Sequence, residues 1–133
     1  MKSFYLFILF IFSTYLSHAQ ISWSTSDSGT CYWDNNQKEW TNCSNKKEFN
    51  SLFTFNKDVT MITHTTSELK SVYYIKSIEN NEEDLLFKYE VISDVGNEYL
   101  MYFDLSNEQI RILSFKGEIE DWYMHVLSVK SVF

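Results

Sequence analysis

From Phe49 onward the chain repeats one pattern: a short apolar or alternating run, then a polar turn, every ten to thirteen residues. That spacing suits antiparallel strands joined by tight turns, and no segment sustains a helical periodicity. The runs are Phe49–Phe55, Val59–Thr65, Leu69–Ile78, Leu85–Ile92, Tyr99–Phe103, Ile110–Phe115 and Ile119–Val132, the last long enough to bend or carry a bulge. The clearest places Leu85, Phe87, Tyr89 and Val91 on one face, with Lys88 and Glu90 among those on the other. Period two with one apolar face predicts a half-buried strand. Tyr99, Met101 and Phe103 share a face in the next run, after a turn in which Gly96 and Asn97 both tolerate positive φ.

Before Phe49 the sequence offers two or three more strands: one around Ile21–Ser24, and two arms flanking Asn35-Asn36. Nearest-neighbour connections throughout predict an all-β, antiparallel up-and-down meander. A sheet with this many strands accumulates twist, and its exposed edges are a liability. A small barrel is therefore expected, closed or incomplete, with a two-sheet β-sandwich as the alternative.

The N-terminus bears on compartment. Lys2 precedes an apolar run, Phe4 to Phe12, that fades into Ser13-Thr14-Tyr15-Leu16, and Ser17-His18-Ala19 puts small residues where a signal peptidase reads. The run falls short of the roughly 20 apolar residues a membrane span needs. Residues 1–19 are expected to be a cleaved secretory signal, leaving residues 20–133 as one all-β domain with no transmembrane anchor. No cysteine stands at the cleavage point to take a lipid. Secretion or a periplasmic location follows. The mature chain carries 10 basic and 18 acidic residues. That balance repels nucleic acid and anionic lipid, both of which need Lys and Arg to neutralise phosphate. Seven Phe, seven Tyr and four Trp remain in it, too many for a disordered chain.

Both cysteines lie in CYWDNNQKEWTNC, Cys31 to Cys43. In an oxidising compartment two cysteines so close are expected to pair. If the stretch is a hairpin with Cys31 directly opposite Cys43, Trp33 and Trp40 miss each other by one residue. A one-residue slip flips side chains across a sheet, so a continuous ladder cannot hold both pairs. Either a bulge separates them or one tryptophan is left without a neighbour.

The strings FNKDVTMITHTT, SVYYIKS and YEVISDVGNEYLMYFDLSNEQIRIL resemble small uncharacterised exported β-proteins of Bacteroidetes type. The likeness runs from about Phe49 to Phe115. Phe-Asn-x-Asp before a β-branched strand is also similar to strand entries of lipocalin-like barrels. Neither resemblance implies a catalytic residue or a ligand.

Chemistry is sparse. His64 and His125 could serve a metal or act as a base with a carboxylate, but at their spacing they read as hydrogen-bonded strand residues. The chain has no G-x-S-x-G elbow and no phosphate-cradling glycine loop. The acidic turns Glu82-Glu83-Asp84 and Asp94 to Glu98 lack the spacing of a calcium loop. No cofactor and no metal site is expected. The aromatic residues Trp33, Trp40, Tyr73, Tyr74 and Trp122 are the candidate ligand or interaction surface, since Tyr and Trp favour interfaces. Adjacent Tyr73 and Tyr74 must face opposite sides of their strand. The expected function is an exported, non-enzymatic binding or protein-interaction module. The alternatives are a lipocalin-like carrier of a small apolar ligand, and a small hydrolase or enzyme inhibitor. Its partner is left as a small apolar molecule, a glycan or a protein.

Overall fold

The computed structural model describes residues 20–133, so the expected signal, residues 1–19, lies outside the described residues. The strands are β1 (Ile21–Asp34), β2 (Glu39–Thr41), β3 (Lys47–Phe55), β4 (Met61–Thr65), β5 (Lys70–Asn81), β6 (Leu86–Ser93), β7 (Glu98–Asp104), β8 (Gln109–Ser114) and β9 (Tyr123–Val132), with one 3-10 turn at Ile119–Asp121. Consecutive strands from β3 to β9 pair antiparallel. β1 then pairs with β3 along one edge and with β9 along the other, from Trp23 opposite Val132 to Tyr32 opposite Tyr123. The sheet thus closes into an eight-stranded barrel, which sets aside both the sandwich and the incomplete barrel. β2 is the extra strand, paired to β1 alone. Closure leaves few edges with unpaired backbone groups.

The seven strands expected from Phe49 onward are present; their bounds shift locally. Val59 and Leu85 sit in turns at φ 53° rather than in strands. The side chain of Asn56 makes the first of these turns possible, its Oδ1 accepting from the N–H groups of Thr60 and Met61 at 2.8 and 3.0 Å. β5 runs on to Asn81, past the end of the expected run at Ile78. The final run opens with the 3-10 turn, and its strand begins only at Tyr123.

The N-terminal third departs furthest from expectation. The short strand and the first hairpin arm are one continuous 14-residue strand. Its sequence, ISWSTSDSGTCYWD, shows no clean alternation because its pairing with β3 shifts between Thr25 and Asp27. A bulge there switches the face of every residue beyond it. Trp23 and Thr25 are buried inside the barrel before it, and Ser28 and Thr30 line the interior after it.

The apolar core fills one half of the barrel. Phe103 is fully buried, and the rings of Trp23, Phe53, Phe55 and Tyr89 surround it at 5.1, 5.8, 4.9 and 5.5 Å between centroids. Ile62, Val91, Met101, Ile110 and Leu127 complete the packing. Most lie toward the β3–β4, β5–β6 and β7–β8 turns, while Val91, opposite Tyr99, sits nearer the β6–β7 turn.

Candidate functional site

Towards the other end the inward-facing side chains become polar and the packing stops. Ser28 and Thr30 from β1, Phe49 from β3, His64 from β4, Tyr73 from β5, Tyr99 from β7, Ile112 from β8, and Tyr123, His125 and Leu127 from β9 line a cup of about 320 Å³. Each arrives there by strand alternation: His64 lies two residues on from core Ile62, Tyr99 two before Met101, and His125 two before Leu127. Ligand sites usually begin near ~300 Å³, so the cup can take a small organic molecule. Two larger concavities, about 550 and 610 Å³, lie on the outer surface. Their linings include the surface ion-pair members Lys76 and Glu98 in one, and Glu79 and the half-buried Lys88 in the other. Such solvated walls offer little desolvated binding surface, so the cup is the stronger site.

The two histidines share this cup. Thr30 Oγ1 and His125 Nδ1 are 2.9 Å apart, a hydrogen bond that fixes the imidazole against β1. His64 stacks face to face on Phe53, centroids 4.0 Å apart and planes within 7°. Its Nε2 is sealed from solvent without a hydrogen-bond partner. Burial, reinforced by nearby His125, pushes the His64 pKa from 6.5 down to about 4. Burial also lowers that of His125. Burial raises Tyr73 and Tyr99, with neighbouring tyrosines adding to it. Both imidazoles are therefore neutral at pH 7, and these two phenols keep their protons.

This makes the fold sensitive to acid. A histidine whose pKa is lower folded than unfolded binds fewer protons in the native state, so stability falls as pH falls. For His64 the loss begins below 6.5 and is complete below about 4. Carried over that range it amounts to roughly 3 kcal/mol, an upper figure because the ring is not fully buried. Urea midpoints measured at pH 7 and pH 4 should separate accordingly. His64→Phe, which keeps the stack on Phe53, should narrow the gap, and an unchanged gap would remove His64 as its cause.

Of the five aromatic residues put forward from sequence as a ligand or interaction surface, only Tyr73 enters the cup. Tyr74 faces outward and is 50% exposed, so the pair divides between the two faces as expected. Trp33, Trp40 and Trp122 gather instead on the outer side of the same end, with Phe115. Adjacent centroids in this cycle lie 5.3 Å apart for Trp33 and Trp40, 6.4 Å for Trp40 and Phe115, 4.8 Å for Phe115 and Trp122, and 6.3 Å for Trp122 and Trp33. Trp23 lies in the core.

Cys31 and Cys43 form the disulfide. Trp33 is nevertheless directly opposite Trp40. Asn42, at φ 53°, resolves the conflict: β2 ends at Thr41, and this left-handed residue brings Cys43 back onto Cys31. Both tryptophans therefore keep a partner across the hairpin. Asp34 shapes the tip, its Oδ1 accepting from the N–H groups of Asn36 and Gln37 at 2.9 and 3.1 Å.

The cup residues missed in the sequence are chiefly Thr30, Phe49, Tyr99 and Tyr123. Alternation identified Tyr99 as inward-facing, but no local pattern distinguishes a packed end from an open one. A hydrolase would need His64 or His125 against a carboxylate. His125 Nδ1 instead bonds a threonine hydroxyl, and among the described residues no three His, Cys, Asp or Glu side chains gather as a metal site. The cup offers ring contacts and uncharged hydrogen-bonding groups. Among the described residues no helix is long and apolar enough to cross a membrane. No family model, curated protein or solved structure matches the chain.

Proposed function

We propose that this protein is an exported small-molecule-binding protein that holds its ligand in the cup at the open end of the barrel. The observation that carries this reading is the half-filled interior: a tight aromatic core at one end and a cup of about 320 Å³ lined by polar and aromatic groups at the other. Small closed barrels that bind ligands place them in such an interior, as lipocalin-like carriers do. The disulfide supports an oxidising compartment, periplasmic or extracellular.

Native mass spectrometry of the oxidised protein, purified from an exporting host, tests the reading. Wild type should carry a small molecule, and Thr30→Phe, which fills the cup from its wall, should lose it while keeping its far-UV circular dichroism. An adduct retained by the variant would place binding elsewhere. A second reading rests on the outer aromatic cluster, where Phe115 is 40% exposed and the three tryptophans are partly so. A protein or glycan seated there would be lost on Trp40→Ala, whereas cup binding would survive it.

A further inference from the structure

We propose that the cup takes an uncharged ligand built on a flat ring system and bearing a hydroxyl group. This rests on the cup being the binding site and adds the chemical class of what it binds. None of the ten lining residues is Asp, Glu, Lys or Arg. A charged ligand entering the cup would shed its hydration with no counter-charge to replace it. The chain's net charge of −7 would draw cations to the outer surface, but it puts no carboxylate in the cup wall.

Six of the ten lining residues carry a ring. Tyr73 and Tyr99 meet edge to face at 5.8 Å, and Tyr123 and His125 lie tilted at 4.9 Å. Walls of this kind extend their offset and edge-to-face contacts to one more flat ring. The polar partners are hydroxyls and neutral imidazoles, which both donate and accept. A ligand hydroxyl, itself donor and acceptor, can pair with Ser28 and the tyrosine hydroxyls, to which a bare hydrocarbon offers nothing. The volume of about 320 Å³ suits a bicyclic molecule better than a long chain.

Isothermal titration of the oxidised protein at pH 7.5 with three naphthalene probes tests this. They are 2-naphthol, the 2-naphthoate anion and the 2-naphthylmethylammonium cation, which share a ring and differ in charge. 2-Naphthol should bind at least about tenfold more tightly than either ion. Tyr99→Phe should weaken it several-fold, and Thr30→Phe should abolish it. Ser28→Leu, a milder filling of the same wall, stands in if Thr30→Phe does not fold. If either ion binds as tightly as 2-naphthol and Thr30→Phe abolishes that binding, the ligand class is wrong and the cup remains the site. Binding of 2-naphthol that survives both filled variants would overturn the inference by placing the probe outside the cup. If no probe binds, the cup reading falls and the inference with it.

Discussion

Phe103→Ala should destabilise the barrel by about 3–5 kcal/mol, the range for deleting a fully buried aromatic ring. The ring is inaccessible to solvent and touches four other aromatic rings, drawn from β1, β3 and β6. Removing it leaves a cavity that no single strand can close, because those rings belong to strands held apart by the closed sheet. The total stability of a domain this size is about 5–15 kcal/mol, so the variant should be near its unfolding threshold at 37 °C. Chemical denaturation measures the loss directly. Phe103→Leu, which keeps most of the volume, should cost clearly less. A loss below about 1 kcal/mol for the alanine variant would mean that the core repacks and that Phe103 is not its centre.

The second large effect concerns the staple. Cys31→Ala with Cys43→Ala should lower stability by roughly 3 kcal/mol, the chain-entropy value for a loop of this length. The damage should be uneven. β1 stays paired with β3 and β9 over most of its length, so the barrel should persist. β2 is three residues long and pairs with β1 alone, which leaves the disulfide as the covalent hold on it. Its release should free Trp40 from Trp33 and Phe115 and shift tryptophan emission to longer wavelength. Amide exchange should quicken at Glu39–Thr41 before it does in β7 and β8. Uniform loss of protection across all strands would instead make the staple essential to closure.

The two variants probe levels of structure that differ in how legible they were. Alternation in Leu86–Ser93 and Glu98–Asp104 is a local property, because successive side chains on an extended backbone must point to opposite faces. Phe87, Tyr89, Val91, Met101 and Phe103 could therefore be assigned to one face from the sequence. The turn at Asp94–Asn97 was legible for a similar reason: its Gly96 adopts φ 89°, which other residues resist. Tyr73 and Tyr74 had to diverge by the same geometry.

β1 was not legible as a single strand. Its serines and threonines carry little hydrophobic pattern, and the bulge near Ser26 reverses what pattern there is. Its role depends on two partners, β3 and β9, that lie far along the chain. The hairpin showed the opposite limit. Sequence exposed the conflict between the Cys31–Cys43 and Trp33–Trp40 pairings, but not its solution, because the backbone at Asn42 adopts a left-handed conformation that the neighbouring residues do not demand.

The candidate site shows the same division. By itself the sequence determined the seven strands from Phe49 on, the turns between them, the apolar side of the clearest ones, and that the two cysteines would meet. Those follow from a two-residue period, turn chemistry and short loop closure. Only the tertiary structure decided that the sheet closes, that Trp33, Trp40 and Trp122 lie outside it, and that His64 and His125 share one cup. The reason is that an open or filled barrel end depends on the summed volume of side chains from eight strands, and no single strand records that sum.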